Sequence, residues 1–218
     1  MLSETPMLSE TIARYELSVP EAALAPLDQY CRLVWEWNEK LNLTRHTDYD
    51  KFVTRDLVDS LQLAELLSDQ EKILDVGSGG GVPGMVLAIL RPELKISLCE
   101  SIGKKAEVLK SIARSLQLSV PVLHARAEDV LADRRFDTLT ARAVGPLWKM
   151  LKWFAPHWPV IGRLLTIKGP RWVEERGEAR HRGYLKDVGL RRVAEYTTPG
   201  SGAMNVILQL SAHDDAED

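Results

Sequence analysis

Residues 72–84 combine an apolar run, a carboxylate and closely spaced glycines, a combination suited to holding a nucleotide-like cofactor. The segment reads Lys-Ile-Leu-Asp-Val-Gly-Ser-Gly-Gly-Gly-Val-Pro-Gly. Glycine has no Cβ atom and adopts positive φ readily, so a glycine-rich backbone can turn sharply and approach a ligand closely. We expect Gly77, Gly79 and Gly81 to shape such a turn. A glycine-rich loop without a ligand is the structural alternative.

The glycines over residues 79–84 also satisfy the G-x-G-x-x-G spacing of dinucleotide-binding folds. Asp75 argues against that interpretation, because a site that accepts pyrophosphate has no use for a buried carboxylate two residues before its first glycine. An acid at this position suits a cationic ligand without phosphate. The spacing of Asp75, Gly77, Gly79 and Gly81 resembles the first motif of S-adenosylmethionine-dependent methyltransferases. S-adenosylmethionine is therefore the expected cofactor.

Further candidate residues follow the second and third predicted strands, at the strand ends where open α/β sheets bind their ligands. Glu100 ends the second strand, where a carboxylate can accept the ribose hydroxyls of an adenosyl group, and Ser101 follows it. Ala127 and Glu128 follow the third strand, in the loop that reads adenine in methyltransferases. An acid at this point is also consistent with simply favouring the start of a helix.

Permanent cations stand at the ends of the fourth and fifth predicted strands. These are Arg142, Lys168 and Arg171. They could hold phosphate groups or base-edge acceptors, although each is equally consistent with a structural ion pair. The chain lacks the Asn/Asp-Pro-Pro-aromatic tetrad of many amino-group methyltransferases and a Pro-Cys nucleophile. We expect Cys99 to be a small buried hydrophobic residue.

The elements that position these residues are predicted from hydrophobic periodicity. Apolar residues recur at three- and four-residue intervals over residues 27–41 and 52–67, which predicts two amphipathic helices joined near residues 44–49. Seven short β-rich runs then alternate with helical windows, which predicts a doubly wound α/β sheet. The runs cover residues 73–76, 95–99, 120–124, 136–141, 163–167, 193–197 and 206–210.

The last two runs are separated only by a turn, too short for a parallel crossover, so we expect an antiparallel pair at the sheet edge. This ending is typical of the class I methyltransferase variant of the Rossmann-like sheet. The predicted organisation is an N-terminal helical segment at residues 1–69, a methyltransferase domain at 70–212 and an acidic tail at 213–218.

Composition is that of a soluble enzyme. The chain has 218 residues, enough for one α/β domain with a small extension. Its two cysteines lie far apart, and no Cys/His cluster has metal-ligand spacing, which indicates a reducing compartment and no metal. No apolar run approaches the roughly 18 residues of a membrane span. We expect a cytoplasmic monomer without membrane contact.

Although its net charge is −3, the chain contains a basic segment. Residues 163–192 contain nine Lys and Arg against four acids, an excess of five positive charges. Lys104 and Lys105 form a second basic pair, in the predicted first turn of a helix, where cations oppose the helix dipole. RNA phosphate contacts would explain both features, as would simple solvation of a helix face.

The motifs together resemble the RsmG (GidB) family of bacterial enzymes that methylate N7 of guanine in small-subunit ribosomal RNA. Matching residues run in order over roughly residues 30–170 of this chain. They are Trp37-Asn38, Asn42-Leu43-Thr44, Asp59-Ser60, the loop 75–84, residues 100–105, Arg126-Ala127-Glu128, Arg142-Ala143 and Lys168-Gly169. The resemblance implies a class I methyltransferase fold preceded by helices, and 16S ribosomal RNA or the small ribosomal subunit as partner.

The resemblance also implies roles for individual residues. Cofactor contacts fall on Gly77, Val82, Ala127, Glu128 and Arg142. Guanine N7 has a lone pair and no proton, so its methylation requires no general base. The expected roles of Arg142 and Lys168 are therefore to orient the substrate, and the expected RNA contacts are Lys104, Lys105, Lys168 and Arg171.

Two departures from the family pattern concern the substrate. Asp56 stands where the family usually has a histidine, and Ala203-Met204-Asn205 replaces a basic pair. Both changes remove cations from regions that could face RNA. A methyltransferase acting on another RNA or on a small molecule is the alternative function. An NAD-dependent oxidoreductase or a noncatalytic nucleotide-binding regulator would share the glycine loop.

Overall fold

The computed structural model describes residues 7–213, so residues 214–218 of the predicted acidic tail lie outside the described part. The N-terminal region is helical. Its helices are α1 (Leu8–Arg14), α2 (Glu21–Asn38), α3 (Tyr49–Lys51) and α4 (Val58–Ala64), with a π-helical segment at Phe52–Leu57 joining the last two. The two predicted amphipathic helices are therefore present, and α1 precedes them.

A seven-stranded sheet follows, with helices between most of its strands. The strands are β1 (Lys72–Val76), β2 (Lys95–Glu100), β3 (Val122–His124), β4 (Phe136–Arg142), β5 (Ile161–Lys168), β6 (Val188–Thr197) and β7 (Met204–Ala212). The helices are α5 (Gly84–Leu90), α6 (Gly103–Ser115), α7 (Ala127–Asp133), α8 (Leu147–Phe154) and α9 (Trp172–His181), with a 3-10 segment at Ala155–Val160.

The strand order is β3-β2-β1-β4-β5-β7-β6. β1 to β5 are parallel, whereas β7 runs antiparallel to both β5 and β6. The predicted antiparallel pair at the sheet edge is confirmed, with β7 inside and β6 outside. Because β1 and β4 are neighbours although not consecutive in sequence, the chain reverses its winding direction there, and the ends of these strands border a crevice suited to a ligand.

Helices cover both faces of the sheet. On one face, helices α1 to α6 bury apolar side chains against residues such as Ile73, Leu98 and Ile167. On the other face, α7, α8 and α9 pack against residues such as Leu74 and Leu139. The N-terminal helices thus share a core with α5 and α6, while the boundary near residue 70 stays a prediction. Within residues 7–213, no helix combines the length and apolar character needed to cross a membrane.

Candidate active site

The loop between β1 and α5 makes the sharp turn that its glycines predict. Gly77, Gly79 and Gly81 have φ angles of +65°, +56° and +105°, in the left-handed region that favours glycine. At Gly77, a Cβ atom would also lie 3.0 Å from a methyl group of Val144. The loop can therefore present its bare backbone to a ligand at this point.

Two cavities meet at this loop. The first, of about 280 Å³, is bordered by polar groups that include Glu100 and Lys105. The second, of about 350 Å³, lies between the loop and helices α7 and α8, with apolar walls that include Val144 and Trp153. Gly77 lines both. A polar and an apolar compartment joined at a glycine suit the two ends of one extended ligand.

The Glu100 carboxylate holds the cofactor loop to the end of β2. It is buried, and its Oε2 accepts a hydrogen bond from the backbone N–H of Gly79 at 2.9 Å. Its Oε1 accepts one from the N–H of Ile102 at 2.8 Å. Each carboxylate oxygen has a further acceptor position, so Glu100 can fix the loop and still accept ligand hydroxyls. Ser101, Ala127 and Glu128 line the second cavity.

Asp75 lies beneath the loop and lines neither cavity. Its Oδ1 accepts a hydrogen bond from the Thr140 hydroxyl at 2.9 Å, and its backbone carbonyl accepts one from Ser78 Oγ at 2.9 Å. Oδ2 is buried without a hydrogen-bond partner among the described residues. Burial raises the pKa of Asp75 to about 6. The Asp75 carboxyl therefore links β1 to β4, and its backbone carbonyl holds Ser78 of the loop.

Arg142, at the end of β4, forms ion pairs with two buried carboxylates. Its Nη1 lies 2.7 Å from Asp56 Oδ1 and 3.0 Å from Asp59 Oδ2. Asp59 also accepts a hydrogen bond from Tyr196 Oη at 2.6 Å, and Asp56 contacts His46. Burial opposes the charge of Arg142, but both carboxylates outweigh it and raise its pKa further. The predicted cation is therefore present and internally neutralised.

A third cavity, of about 490 Å³, adjoins the first and shares His46, Arg142 and Ala143 with it. Lys168 and Asn205 also line this third cavity. The Lys168 side chain is buried, and its Nζ donates hydrogen bonds to the Gly145 carbonyl at 2.7 Å and to Glu175 at 2.8 Å. This cavity is lined by both signs of charge and lies beside the predicted cofactor region.

Comparison with known proteins identifies the family. The model described as rRNA small subunit methyltransferase G (GidB) matches residues 23–199. A Rhodopirellula baltica protein named ribosomal RNA small subunit methyltransferase G is 53% identical over 185 residues, 85% of this chain and 80% of that protein. Its namesake from Roseiflexus is 38% identical over 80% of this chain and 77% of its own length. The chain belongs to the rRNA small subunit methyltransferase G family.

The predicted family is thus confirmed, and so is the class I methyltransferase fold. A mutant of MtNAS in complex with S-adenosylmethionine superposes with a TM-score of 0.58, over 96% of this chain and 86% of that one. Sequence identity is 14%, so this likeness concerns the fold alone.

The remaining predicted site residues are dispersed. Val82 and Lys105 line the first cavity. Gly81 lines none of the three, and a Cβ there would lie 3.0 Å from Met85. Lys104 and Arg171 are exposed outside the cavities. Among residues 7–213, no group of three or more His, Cys, Asp or Glu side chains is arranged to hold a metal ion.

The N-terminal helices contribute residues that the sequence analysis did not assign. Tyr30 Oη donates a hydrogen bond to the Gly80 carbonyl at 2.8 Å. Asn38 Oδ1 accepts hydrogen bonds from the backbone N–H groups of Leu43 and Thr44. A Cβ at Gly80 would lie 3.2 Å from the Leu43 carbonyl. The family motif over residues 37–44 therefore folds a turn against the cofactor loop, a contact that local sequence patterns do not reveal.

The sequence analysis also did not predict the buried carboxylates that pair with Arg142. Asp59 was named only as part of a family motif, and Asp56 as a departure that removes a cation from a region that could face RNA. The structure buries Asp56, pairs it with Arg142 and places it at the first cavity. Trp148 is also paired with a cation, since the Arg182 Cζ atom lies 4.1 Å from the centroid of its ring. Trp148 does not line the third cavity.

Proposed function

We propose that the protein transfers the methyl group of S-adenosylmethionine to N7 of a guanine in 16S ribosomal RNA. The family match over residues 23–199 establishes the class of reaction. The protein is an S-adenosylmethionine-dependent rRNA methyltransferase. The position of the joined cavities supports the proposal, because they open at the carboxyl ends of β1, β2 and β4, where sheets of this kind bind their ligands.

The cofactor would lie across the first two cavities. Bound S-adenosylmethionine supplies an electrophilic methyl group and departs as S-adenosylhomocysteine, with the electron pair of the broken carbon–sulfur bond on sulfur. Gly77 and Gly79 allow close backbone approach, and Glu100 can accept the ribose hydroxyls. In the second cavity, the Ala127 N–H and the Glu128 carboxylate would contact adenine. Asp75 fixes the loop from beneath, Gly81 shapes its turn, and Val82, Ser101 and Arg142 complete the proposed cofactor site.

The acceptor base would enter the third cavity, with its N7 directed toward the first. The N7 lone pair forms the new bond to the methyl carbon, and the base becomes cationic without losing a proton. The chain must therefore align the acceptor rather than deprotonate it. Alignment can lower a barrier by roughly 7 to 11 kcal/mol in favourable cases. Arg142 and Lys168 would orient the base through N–H donors not used in their ion pairs.

The exposed cations Lys104 and Arg171, together with Lys105 at the first cavity and Lys168 at the third, are proposed as RNA contacts. Their distribution around the cavities supports this role. Phosphate contacts of this kind weaken as the salt concentration rises. We further propose that the enzyme works as a monomer in the cytoplasm, where its ribosomal substrate is found.

The test is a methyl-transfer assay with labelled S-adenosylmethionine. The substrates are small ribosomal subunits and extracted ribosomal RNA from cells lacking this protein, and the product is mapped for 7-methylguanosine. We expect one new methylated guanine. Comparing both substrates shows whether the assembled subunit or free RNA is preferred.

Matched variants link the activity to the proposed site. Glu100→Gln removes an ionised acceptor from the first cavity and should weaken cofactor binding. Glu107→Gln changes an exposed residue on α6 that pairs with Lys110 and should leave activity unchanged. Cofactor binding without transfer to either substrate would contradict the ribosomal assignment and direct the search to another RNA or a small molecule.

A further inference from the structure

His46 is held rigidly at the boundary between the first and third cavities. Its backbone N–H donates to Thr44 Oγ1 at 3.0 Å, and its carbonyl accepts from the Trp35 indole N–H at 2.8 Å. Its ring Nδ1 lies 2.8 Å from Asp56 Oδ1. Backbone and ring are therefore fixed from three sides, as expected for a side chain that must be oriented for binding.

The orientation leaves one ring nitrogen available. Because the Asp56 carboxylate can only accept, Nδ1 must carry a proton in this contact. Nε2 has no hydrogen-bond partner within residues 7–213 of the structure, and the imidazole lines both cavities. The His46 side chain is 24% exposed, so the ring is partly accessible from the cavities that His46 lines.

We propose that His46 is a specificity-determining residue that, as an imidazolium with Nδ1–H on Asp56, donates a hydrogen bond from Nε2 to O6 of the target guanine. This inference rests on the proposed function. O6 is adjacent to N7 on the same edge of guanine, so a base with N7 near the junction of the cavities would bring O6 there too. Adenine carries an amino group at that position, and its N–H donors would meet the Nε2–H donor. The contact therefore selects guanine.

Several charged groups surround the imidazole. Asp56 contacts Nδ1, and Arg142 shares that carboxylate. Arg55 and Asp59 line the third cavity, and Lys105 lines the first. Asp48 lies in the same loop; burial opposes a lower pKa of this carboxyl, but hydrogen bonds and charge from Lys51 lower it, and His46 adds a smaller effect in the same direction. The negative charge of Asp56 next to the ring can balance an imidazolium, which has donors on both nitrogens.

The test compares His46→Gln and His46→Leu, with methyl transfer to ribosomal RNA as the readout. The glutamine amide can donate near the Nε2 position, so we expect activity within a few-fold of wild type. Leucine cannot donate, and we expect kcat to fall by about tenfold, as for one lost hydrogen bond. His157→Gln, on the 3-10 segment outside the cavities, is the matched control.

Base discrimination provides a readout that a purely structural role would not change. Once the target has been mapped, ribosomal RNA with adenosine at that position is compared with the guanosine form. His46→Leu should lower the preference for guanosine by about tenfold, whereas His157→Gln should keep it.

Two results would overturn the role of His46. One is a loss of activity in His46→Gln as large as that in His46→Leu, which would show that a hydrogen-bond donor near the Nε2 position does not replace the imidazole. The other is unchanged discrimination in His46→Leu. Failure of the proposed function has a different signature, because the wild-type protein itself would then transfer no methyl group to ribosomal RNA.

Discussion

The cofactor side and the acceptor side of the site are built differently. The cofactor side consists of backbone at the ends of β1 and β2, with glycines at positive φ and one carboxylate that accepts two backbone N–H groups. The acceptor side consists of side chains, with Arg142 between two aspartates and Lys168 paired with Glu175. The first is defined by residues close in sequence, and the second by residues that only the fold brings together.

The difference shows where each half is vulnerable. A backbone-built loop fails when a side chain is added, because the new atom lacks room or because a positive φ opposes it. A cluster of buried ion pairs fails when one member is removed, because its partners keep the cost of desolvation without compensation. The predictions below test this contrast, from the largest expected effect to the smallest.

Arg142→Met should have the largest effect on stability. The substitution leaves the carboxylates of Asp56 and Asp59 buried without their guanidinium, and breaking such a cluster costs about 3 to 5 kcal/mol. Urea unfolding measures the loss. Arg114→Met, on the exposed face of α6, is the control and should change stability by less than about 0.5 kcal/mol. Equal stability of both variants would mean that the ion pairs do not hold the acceptor side together.

Gly84→Ala tests the cofactor side by adding one methyl group. The new Cβ would overlap Leu98 and lie 2.7 Å from the Asp75 Cβ, so we expect a loss of about 3 kcal/mol in the free energy of unfolding. Gly79→Ala is the matched variant, since its new Cβ would lie no closer than 3.7 Å to another atom. Only the positive φ at this position opposes alanine, and we expect it to lower the free energy of unfolding by about 1 to 2 kcal/mol. A larger loss of stability in Gly79→Ala than in Gly84→Ala would show that the positive φ of the turn, rather than close packing, excludes side chains from this loop.

Asp75→Asn should stabilise the protein in the absence of cofactor at pH 8. The pKa of Asp75 in the folded protein, about 6, exceeds its ordinary value of 3.8, so the folded state binds the proton more tightly. The stability that this provides is present below about pH 4 and is lost as the pH rises through 6. Asparagine cannot ionise and should recover up to about 3 kcal/mol at pH 8, with little change at pH 4.

The measurement is urea unfolding of Asp75→Asn at both pH values. Asp133→Asn, on the exposed end of α7, is the control that isolates the effect of burial. A gain of equal size at pH 4 and pH 8 would rule out ionisation as its cause. Weaker cofactor binding by the more stable variant would show that this carboxylate is retained for function.

Lys104→Ala and Arg171→Ala should have the smallest effect on stability and a measurable effect on RNA binding. Both side chains are exposed, so each substitution should leave the unfolding transition unchanged and reduce the salt dependence of RNA binding by about one phosphate contact. Lys168→Met is the contrasting variant, because its buried ion pair predicts lost stability. An unchanged salt slope for both exposed variants would remove them from the RNA interface.

Much of the fold was predictable because its signals are local. All seven predicted strands are present, and the periodicity of the N-terminal helices is confirmed. The short helix α1 was missed as a separate element. β6 starts at Val188 rather than at 193, because its first residues alternate less clearly between apolar and polar side chains.

The sequence predicted the tight turn of the cofactor side and the cations Arg142 and Lys168 of the acceptor side, but not the ion-pair partners of those cations. Glycine spacing indicates a tight turn from a few consecutive residues, whereas nothing local to Arg142 indicates that Asp59, 83 positions earlier, is its partner. His46 carries no recognisable motif, and its orientation depends on an indole and a carboxylate from two other segments. Such contacts are properties of the packed chain.

The position of β7 has a consequence for how the protein is made. β7 separates β5 from β6 in the sheet, yet it is the last of the seven strands within residues 7–213 to be synthesised. While the nascent chain is still short of residue 204, β5 and β6 each lack a neighbour and expose unpaired backbone groups that invite pairing with other chains. The sheet can therefore close only after the ribosome has synthesised β7, and a polypeptide interrupted shortly before β7 would be prone to aggregate.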